Sequence, residues 1–216
     1  DHKRAYDDDK GPNTGGMGVY SPVPFVTNEE LSQMIAIEQH VVDQLKKEGI
    51  NYSGCLYGGF MLTKDGPKVL EFNARFGDPE TQVVLPRLQG DLVSILMACD
   101  NGTLRHQQVS WSDTVAVSVV LASAGYPGSY EKGKEITGIE AAQQFEGVSV
   151  YHAGTAQTED GKIVTAGGRV LNVTALAPTF EEARARAYEA CDLINFEGKQ
   201  LRHDIGLKAL QGRPEK

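Results

Sequence analysis

The sequence predicts an α+β fold built mainly from antiparallel strands, and three observations carry that prediction. Residues 28–48 repeat apolar side chains at helical spacing. Two short apolar runs, 55–62 and 68–74, flank the turn residues "TKDGP" and read as a hairpin. From about residue 110 the chain becomes a series of strands closed by one helix, a mixture that is neither all-β nor a regular alternation of strand and helix.

Each element has its own signal. In "NEELSQMIAIEQHVVDQLKKE" the residues Leu31, Met34, Ile35, Val41, Val42 and Leu45 fall at helical spacing, with Asn28 as the expected cap and Gly49 beyond the end. "CLYGGFML" and "KVLEFNA" are the two hairpin strands. Asp78 is expected to cap a helix with Pro79 at its first position, running to about Cys99 with Leu85, Leu88, Leu92, Ile95 and Leu96 on one face. "DNGTL" ends it. In the second block "TVAVSVVLA" (114–122) reads as a buried strand and "AGYPGSY" as the turn after it. Strands follow at 148–156, 161–167 and 168–176, and Thr179 with Glu182 forms a capping box for a helix to about Leu193. Two domains are expected, 1–105 and 106–216.

The whole-chain chemistry narrows the partners. With 216 residues there is enough chain for a real core. A net charge of −8 and no basic stripe argue against a nucleic-acid partner. No segment has the apolar length of a membrane span. Cys55, Cys99 and Cys191 are far apart, without metal-ligand spacing, and are expected to be reduced and mostly buried in a cytoplasmic protein.

The most informative stretch is "EFNARFGDPETQ", residues 71–82. On a strand, Glu71, Asn73 and Arg75 would share one face with Val69, at intervals of roughly 7 Å. Leu70, Phe72 and Ala74 would take the other face. Carboxylate and amide oxygens suit a hard cation such as Mg²⁺, which leaves its other positions to water and phosphate. A guanidinium beside them suits phosphate or carboxylate. The helix start expected near Pro79 would add free N–H groups and a positive dipole, while Asp78 and Glu80 could receive an ammonium.

The second stretch, "GPNTGGMG" (11–18), has four glycines and a proline in eight residues. Such a loop can bring backbone N–H groups close to an anion, yet it matches neither the P-loop nor the dinucleotide fingerprint. "DHKR" precedes it on a short, extended segment.

These motifs, together with "GCLYGGFM", "YHAGT", "GGRVL" and "RHDIG", resemble those of the phosphoribosylamine–glycine ligase family, in the family's order and from residue 1 to about 210. The resemblance implies an ATP-grasp fold: residues 1–105 as the carboxy-terminal part of the ATP-grasp domain, an antiparallel sheet with flanking helices, then a small mixed domain. It also implies a chain about twice as long. The amino-terminal half, with the glycine-rich flap and adenine hinge, would lie upstream of Asp1 and be this chain's partner. The chain alone is then expected to hold ATP poorly and to be inactive. The ending soon after "DIGLKAL" fits a one-activity enzyme.

The resemblance implies roles as well. Glycine's carboxylate would attack the γ-phosphate of ATP, and the amine of phosphoribosylamine would displace phosphate from the glycyl phosphate. Glu71 and Asn73 match the family's metal pair for Mg²⁺ or Mn²⁺. The preceding strand offers Tyr57 where many ATP-grasp enzymes have a further acid. Arg75 would stabilise the acyl phosphate and the transition-state charge. Asp78, Pro79 and Glu80 would shape the glycine and amine pocket, Asn13, Thr14, Gly15 and Gly16 the substrate and phosphate side, and Asp1 and Lys3 would position substrate. Arg169, and Arg202 with Asp204, either reach the ribose phosphate or form salt bridges that pin the second domain. His152 is expected to be structural, Trp111 to pack between domains, and acids 7–9 to form a solvated loop. The alternatives are a non-catalytic binding piece and a different ATP-grasp carboxylate–amine ligase.

Overall fold

The computed structural model describes residues 1–212. In chain order the first half contains β1 (Arg4–Tyr6), β2 (Lys10–Asn13), β3 (Gly18–Ser21), α1 (Asn28–Lys47), β4 (Tyr57–Thr63), β5 (Gly66–Asn73), α2 (Thr81–Val84), β6 (Leu88–Gln89) and α3 (Leu92–Asp100). The second half contains β7 (Ser110–Trp111), β8 (Val115–Ala122), α4 (Ile139–Ala142), β9 (Val148–His152), β10 (Thr155–Gln157), β11 (Ile163–Thr165), β12 (Arg169–Ala177), α5 (Phe180–Leu193) and α6 (Leu207–Gln211). Each pairing between these strands is antiparallel, so the α+β class holds.

The chain forms two compact units that do not follow a linear division at residue 105. The first unit comprises Asp1–Val23, Asp78–Arg87 and the chain from Ser112 onward; the second comprises Pro24–Gly77 and Leu88–Trp111. The reason is long-range pairing: β3, from the start of the chain, adds to the edge of β8 with Val19 opposite Ser118.

The first unit is organised by a four-stranded sheet in the order β3-β8-β12-β9. β8 is buried along its whole length, which is why "VAVSVVLA" is an unbroken apolar run rather than an alternating one. Its one polar residue, Ser118, accepts a hydrogen bond from the Thr174 hydroxyl at 2.8 Å, so the buried pair is mutually satisfied. Helix α5 lies against β8 and β12 through Ala183, Ala187, Ala190 and Cys191, all buried. Thr179 caps it, its hydroxyl accepting from the Glu182 N–H at 3.3 Å. α2 is anchored to the same sheet by Val83, which clusters with Val19, Ala116 and Leu176.

The second unit holds the β4–β5 hairpin, with α1 against β5, together with α3. Thr63 lies opposite Gly66, so the turn itself is Lys64–Asp65. α1 is capped one residue earlier than expected. Thr27 Oγ1 accepts from Glu30 N, and Glu30 Oε2 accepts from Thr27 N, a complete capping box.

The continuous helix expected from Pro79 to Cys99 is overturned. α2 is a single four-residue turn, a 3₁₀ turn covers Leu85–Arg87, and a new helix, α3, begins after Asp91. Pro86 explains the break, since proline lacks the N–H and its ring collides with the preceding turn. Gly90, at φ +140, completes the change of direction. Asp91 is the cap, its carboxylate accepting from Val93 N at 3.0 Å. The strand expected at 148–156 is also split, into β9 and β10, because Ala153 and Gly154 turn to donate to the carbonyls of Val170 and Arg169.

Candidate functional site

In the first unit the glycine loop is tied down by its own amides. Thr14 N donates to Lys3 O (2.7 Å), Gly15 N to the Tyr126 hydroxyl (3.0 Å), Gly16 N to Thr14 Oγ1 (2.9 Å) and Met17 N to His2 O (2.9 Å). Four successive N–H groups are therefore spent internally, and the expected cradle of free donors for an anion is not what this loop offers. Its function is to place backbone close to the Asp78–Pro79 turn. A Cβ on Gly16 would lie 2.6 Å from Pro79 Cδ and 2.7 Å from Asp1 Oδ1, and φ there is +120°, so only glycine fits.

Arg169, at the start of β12, joins the two segments. One guanidinium nitrogen donates to Gly15 O (2.9 Å) and Asp78 O (2.8 Å), and the other to Asp78 Oδ2 (3.0 Å). Gln82 Nε2 donates to the remaining Asp78 oxygen at 2.9 Å. Asp78 is thus an ion-pair partner and not the helix cap expected of it. A four-residue α2 also gives little of the dipole foreseen at Pro79. On the Gly16 side, Lys3 Nζ is 2.6 Å from Asp1 Oδ2 and 4.0 Å from Glu80 Oε1.

The unit thereby gathers Asp1, Lys3, Thr14, Gly15, Gly16, Asp78, Pro79, Glu80 and Arg169 around one loop–turn contact. Asn13 is separate: it is exposed on β2, opposite Arg4. The cluster can hold a small polar molecule that carries both charges, with carboxylates for an ammonium and Lys3 or Arg169 for an anion.

Arg202 belongs to a different network. Its side chain is fully buried, with Nε and Nη2 on the two Asp204 oxygens (2.7 and 2.6 Å) and Nη1 on Asp9 Oδ1 and Arg4 O. Asp9 also pairs with Lys208, Asp7 with His203, and Asp8 N donates to Asp204. The guanidinium has no open face for a phosphate, so the geometry supports the salt-bridge alternative for Arg202. Acids 7–9 form a turn with no buried side chain, in keeping with the solvated loop expected, although Asp7 and Asp9 also face His203, Arg202 and Lys208. Burial opposes ionisation of Asp204, but the Arg202 hydrogen bonds win and hold its pKa near 2. His2 sits within this region, buried, with Nδ1 facing Gly18 O at 3.2 Å and no partner for Nε2. Burial first, then nearby positive charges, push its pKa down to about 3.

In the second unit, Glu71 and Asn73 stand opposite Gly59 and Tyr57 in an unbroken stretch of ladder, and so share a face. The expectation for Val69 fails. Phe60 pairs with Val69 and Gly59 with Glu71, so Leu70 is an extra, bulged residue and Val69 faces the other way. Arg75 lies beyond the strand end, with Nη1 donating to Phe76 O at 3.0 Å. Gly59 leaves room over the pair, since a Cβ there would come within 3.3 Å of Glu71 Cγ. Among the described residues no three His, Cys, Asp or Glu side chains are grouped to hold a metal. Two oxygen donors on one face still fit Mg²⁺, which needs few protein ligands when phosphates and water supply the rest.

Elsewhere, His152 Nδ1 lies 2.9 Å from Thr155 Oγ1 at an exposed position. Trp111 is 47% exposed on β7. Of the three cysteines only Cys191 is buried; Cys55 and Cys99 are half-exposed. No helix among the described residues is long and apolar enough to cross a membrane. Sequence reasoning missed Tyr126, in a stretch read as a plain turn, and gave no role to Gln82, the last residue of the motif at 71–82.

Comparison with known proteins bears on both halves of the chain. Residues 1–81 match the family model "Phosphoribosylglycinamide synthetase, ATP-grasp (A) domain", and residues 116–208 match "Phosphoribosylglycinamide synthetase, C domain". The phosphoribosylamine–glycine ligase of Caldanaerobacter subterraneus is 52% identical over 206 residues, which are 95% of this chain and 48% of that protein. A trifunctional purine biosynthetic protein of Gallus gallus is 52% identical over 212 residues, 97% of this chain and 21% of its own. The crystal structure of the phosphoribosylamine–glycine ligase of Thermotoga maritima superimposes with a TM-score of 0.82 at 40% identity, covering 94% of this chain and 50% of that one. The biotin carboxylase subunit of a pyruvate carboxylase, at 18% identity and a TM-score of 0.61, shares the fold alone. The chain spans about half the length of the single-activity ligases it matches.

Proposed function

The chain belongs to the phosphoribosylglycinamide synthetase family, and from that premise we propose that it acts in an ATP-dependent ligase joining 5-phosphoribosylamine to glycine. The products are glycinamide ribonucleotide, ADP and phosphate, formed through a glycyl phosphate in purine biosynthesis. The observation that supports this most is the cluster around Gly15, Gly16 and Asp78. It offers carboxylates and cations at one place, as a zwitterionic amino acid and a phosphorylated amine require.

In this reading Asp78, Pro79 and Glu80 form the glycine and amine pocket. Asp1, Lys3, Thr14, Gly15 and Gly16 line the substrate side, and Arg169 holds loop and turn together beside it. Arg75 donates to the charge that develops on the acyl phosphate. Glu71 and Asn73 would hold Mg²⁺ or Mn²⁺, which when bound neutralises phosphate charge. We assign the ATP-grasp part to residues 1–105 and the family's carboxy-terminal domain to 106–216, and place the protein in the cytoplasm. ATP binding draws on the further half that the single-activity relatives carry, so that half is this chain's partner. Nucleic acid is not one, in line with the net charge of −8.

The test is ADP formation with Mg²⁺, ATP, glycine and freshly generated phosphoribosylamine, by this chain and by the full-length enzyme carrying it. Turnover by the longer protein that requires both acceptors supports the reading. A full-length protein that consumes ATP without needing glycine overturns it.

A further inference from the structure

We propose that Tyr126 is a positioning residue for the Gly15–Gly16 loop, setting the loop against the Asp78–Glu80 turn where glycine binds; this deepens the reading above and rests on it. Gly15 is gripped at both polar atoms by residues more than a hundred positions away. Its N–H donates to the Tyr126 hydroxyl at 3.0 Å, and its carbonyl accepts from Arg169 at 2.9 Å. The N–H belongs to the Thr14–Gly15 peptide and the carbonyl to the Gly15–Gly16 peptide, so the two hydrogen bonds fix the planes on either side of the Gly15 Cα. Releasing the first lets this glycine turn about its φ bond, which loosens the carbonyl on Arg169, the group that reaches Asp78.

Tyr126 is well fixed for this work. Its N–H donates to Ser123 O at 3.1 Å, its carbonyl accepts from Gln200 Nε2 at 3.3 Å, and its ring meets Tyr130 edge-on with centroids 6.5 Å apart. The ring lies directly on Gly168, where any Cβ would overlap it. Gly168 immediately precedes Arg169, so one tyrosine contacts both the loop and the strand start that delivers the clamp. A side chain held at its backbone, its ring and its hydroxyl loses little entropy in holding something else.

The experiment uses the full-length enzyme carrying this sequence, with Tyr126→Phe and, separately, Gly168→Ala. The first removes only the hydroxyl; the second leaves the hydroxyl and displaces the ring. Loss of one such hydrogen bond corresponds to about a tenfold change. For Tyr126→Phe the KM for glycine should rise about tenfold, with the KM for ATP unchanged and the melting temperature nearly so. Hydrogen exchange at the Gly15 amide should accelerate by a similar factor. Gly168→Ala should reproduce both effects from the other side of the ring. An unchanged glycine KM in Tyr126→Phe overturns the positioning role, whatever the exchange rate does. A wild-type protein without ligase activity would instead sink the underlying reading, and Gly15 exchange would then still decide whether Tyr126 holds the loop.

Discussion

The two units treat the same kind of residue in opposite ways. In the first, β8 and most of β12 are buried, and Leu121, Leu171, Val173 and Ile205 have no exposed surface. In the second, β5 leaves Leu70 at 62% exposure, Ile35 of α1 is at 60% and Val93 of α3 at 65%. Glu30, a capping residue, is the one side chain of α1 that counts as buried. The contrast follows from layer number. A four-stranded sheet covered by α5 closes a core, whereas a two-stranded hairpin has too little breadth to do so. The first unit holds its apolar residues inside, and the second leaves several of them at its surface.

Breaking the first unit should be costly, and its buried ion pairs are the sharpest place to try. Arg202→Met strands Asp204 and leaves Asp9 to Lys208 alone, and should lower the unfolding free energy in urea by about 3 kcal/mol, the low end for a broken buried pair because Asp9 is half exposed; a change below about 1 kcal/mol would mean the network is not structural. In the second unit the expected damage is to chemistry. Arg75→Ala in the full-length enzyme should cost on the order of a hundredfold to a thousandfold in kcat with an unchanged melting temperature. Glu71→Gln should weaken the Mg²⁺ dependence in the same fold-preserving way, and unchanged kinetics there would remove the metal assignment.

Paired truncations sharpen the comparison directly. Leu171→Ala in the buried sheet should destabilise by about 2–5 kcal/mol. Leu70→Ala, on the exposed bulge, should stay within about 0.5 kcal/mol. Equal losses would erase the distinction between the units.

Acid supplies the gentlest probe. His2 has its pKa lowered in the fold from 6.5 to about 3, so the neutral form is favoured there. The stability it contributes is complete above pH 6.5 and drains as pH falls toward 3, at roughly 1.4 kcal/mol per pH unit. Asp204 adds to the loss only below about its ordinary 3.8. Urea unfolding at pH 7 and pH 5 should show the difference, and His2→Gln should flatten it.

Local chemistry was legible from the residues. The hairpin, α1, β8 and α5 fall where period and caps place them, within a residue or two. The pairing of Glu71 with Asn73 also follows from strand alternation. What failed was either overlooked or non-local. Pro86 stands in plain view and alone forbids a helix from Pro79 to Cys99. By contrast, nothing near Gly18 announces a partner at Val119, and nothing in "AGYPGSY" says that its first tyrosine will meet a glycine loop 111 residues away. The bulge at Leu70 is intermediate, since an inserted residue leaves no mark on an apolar run.

That bulge behaves as a frameshift in three dimensions. Strand side chains alternate with a period of two, so one extra residue inverts the phase of everything after it. Removing Leu70 would leave Val69 opposite Phe60, Glu71 opposite Gly59 and Asn73 opposite Tyr57 in a regular ladder, so the two oxygen donors would keep their face and the hairpin would lose only its local bend and added twist. The bulge is thus the one place in β5 where a residue can go without moving the pair.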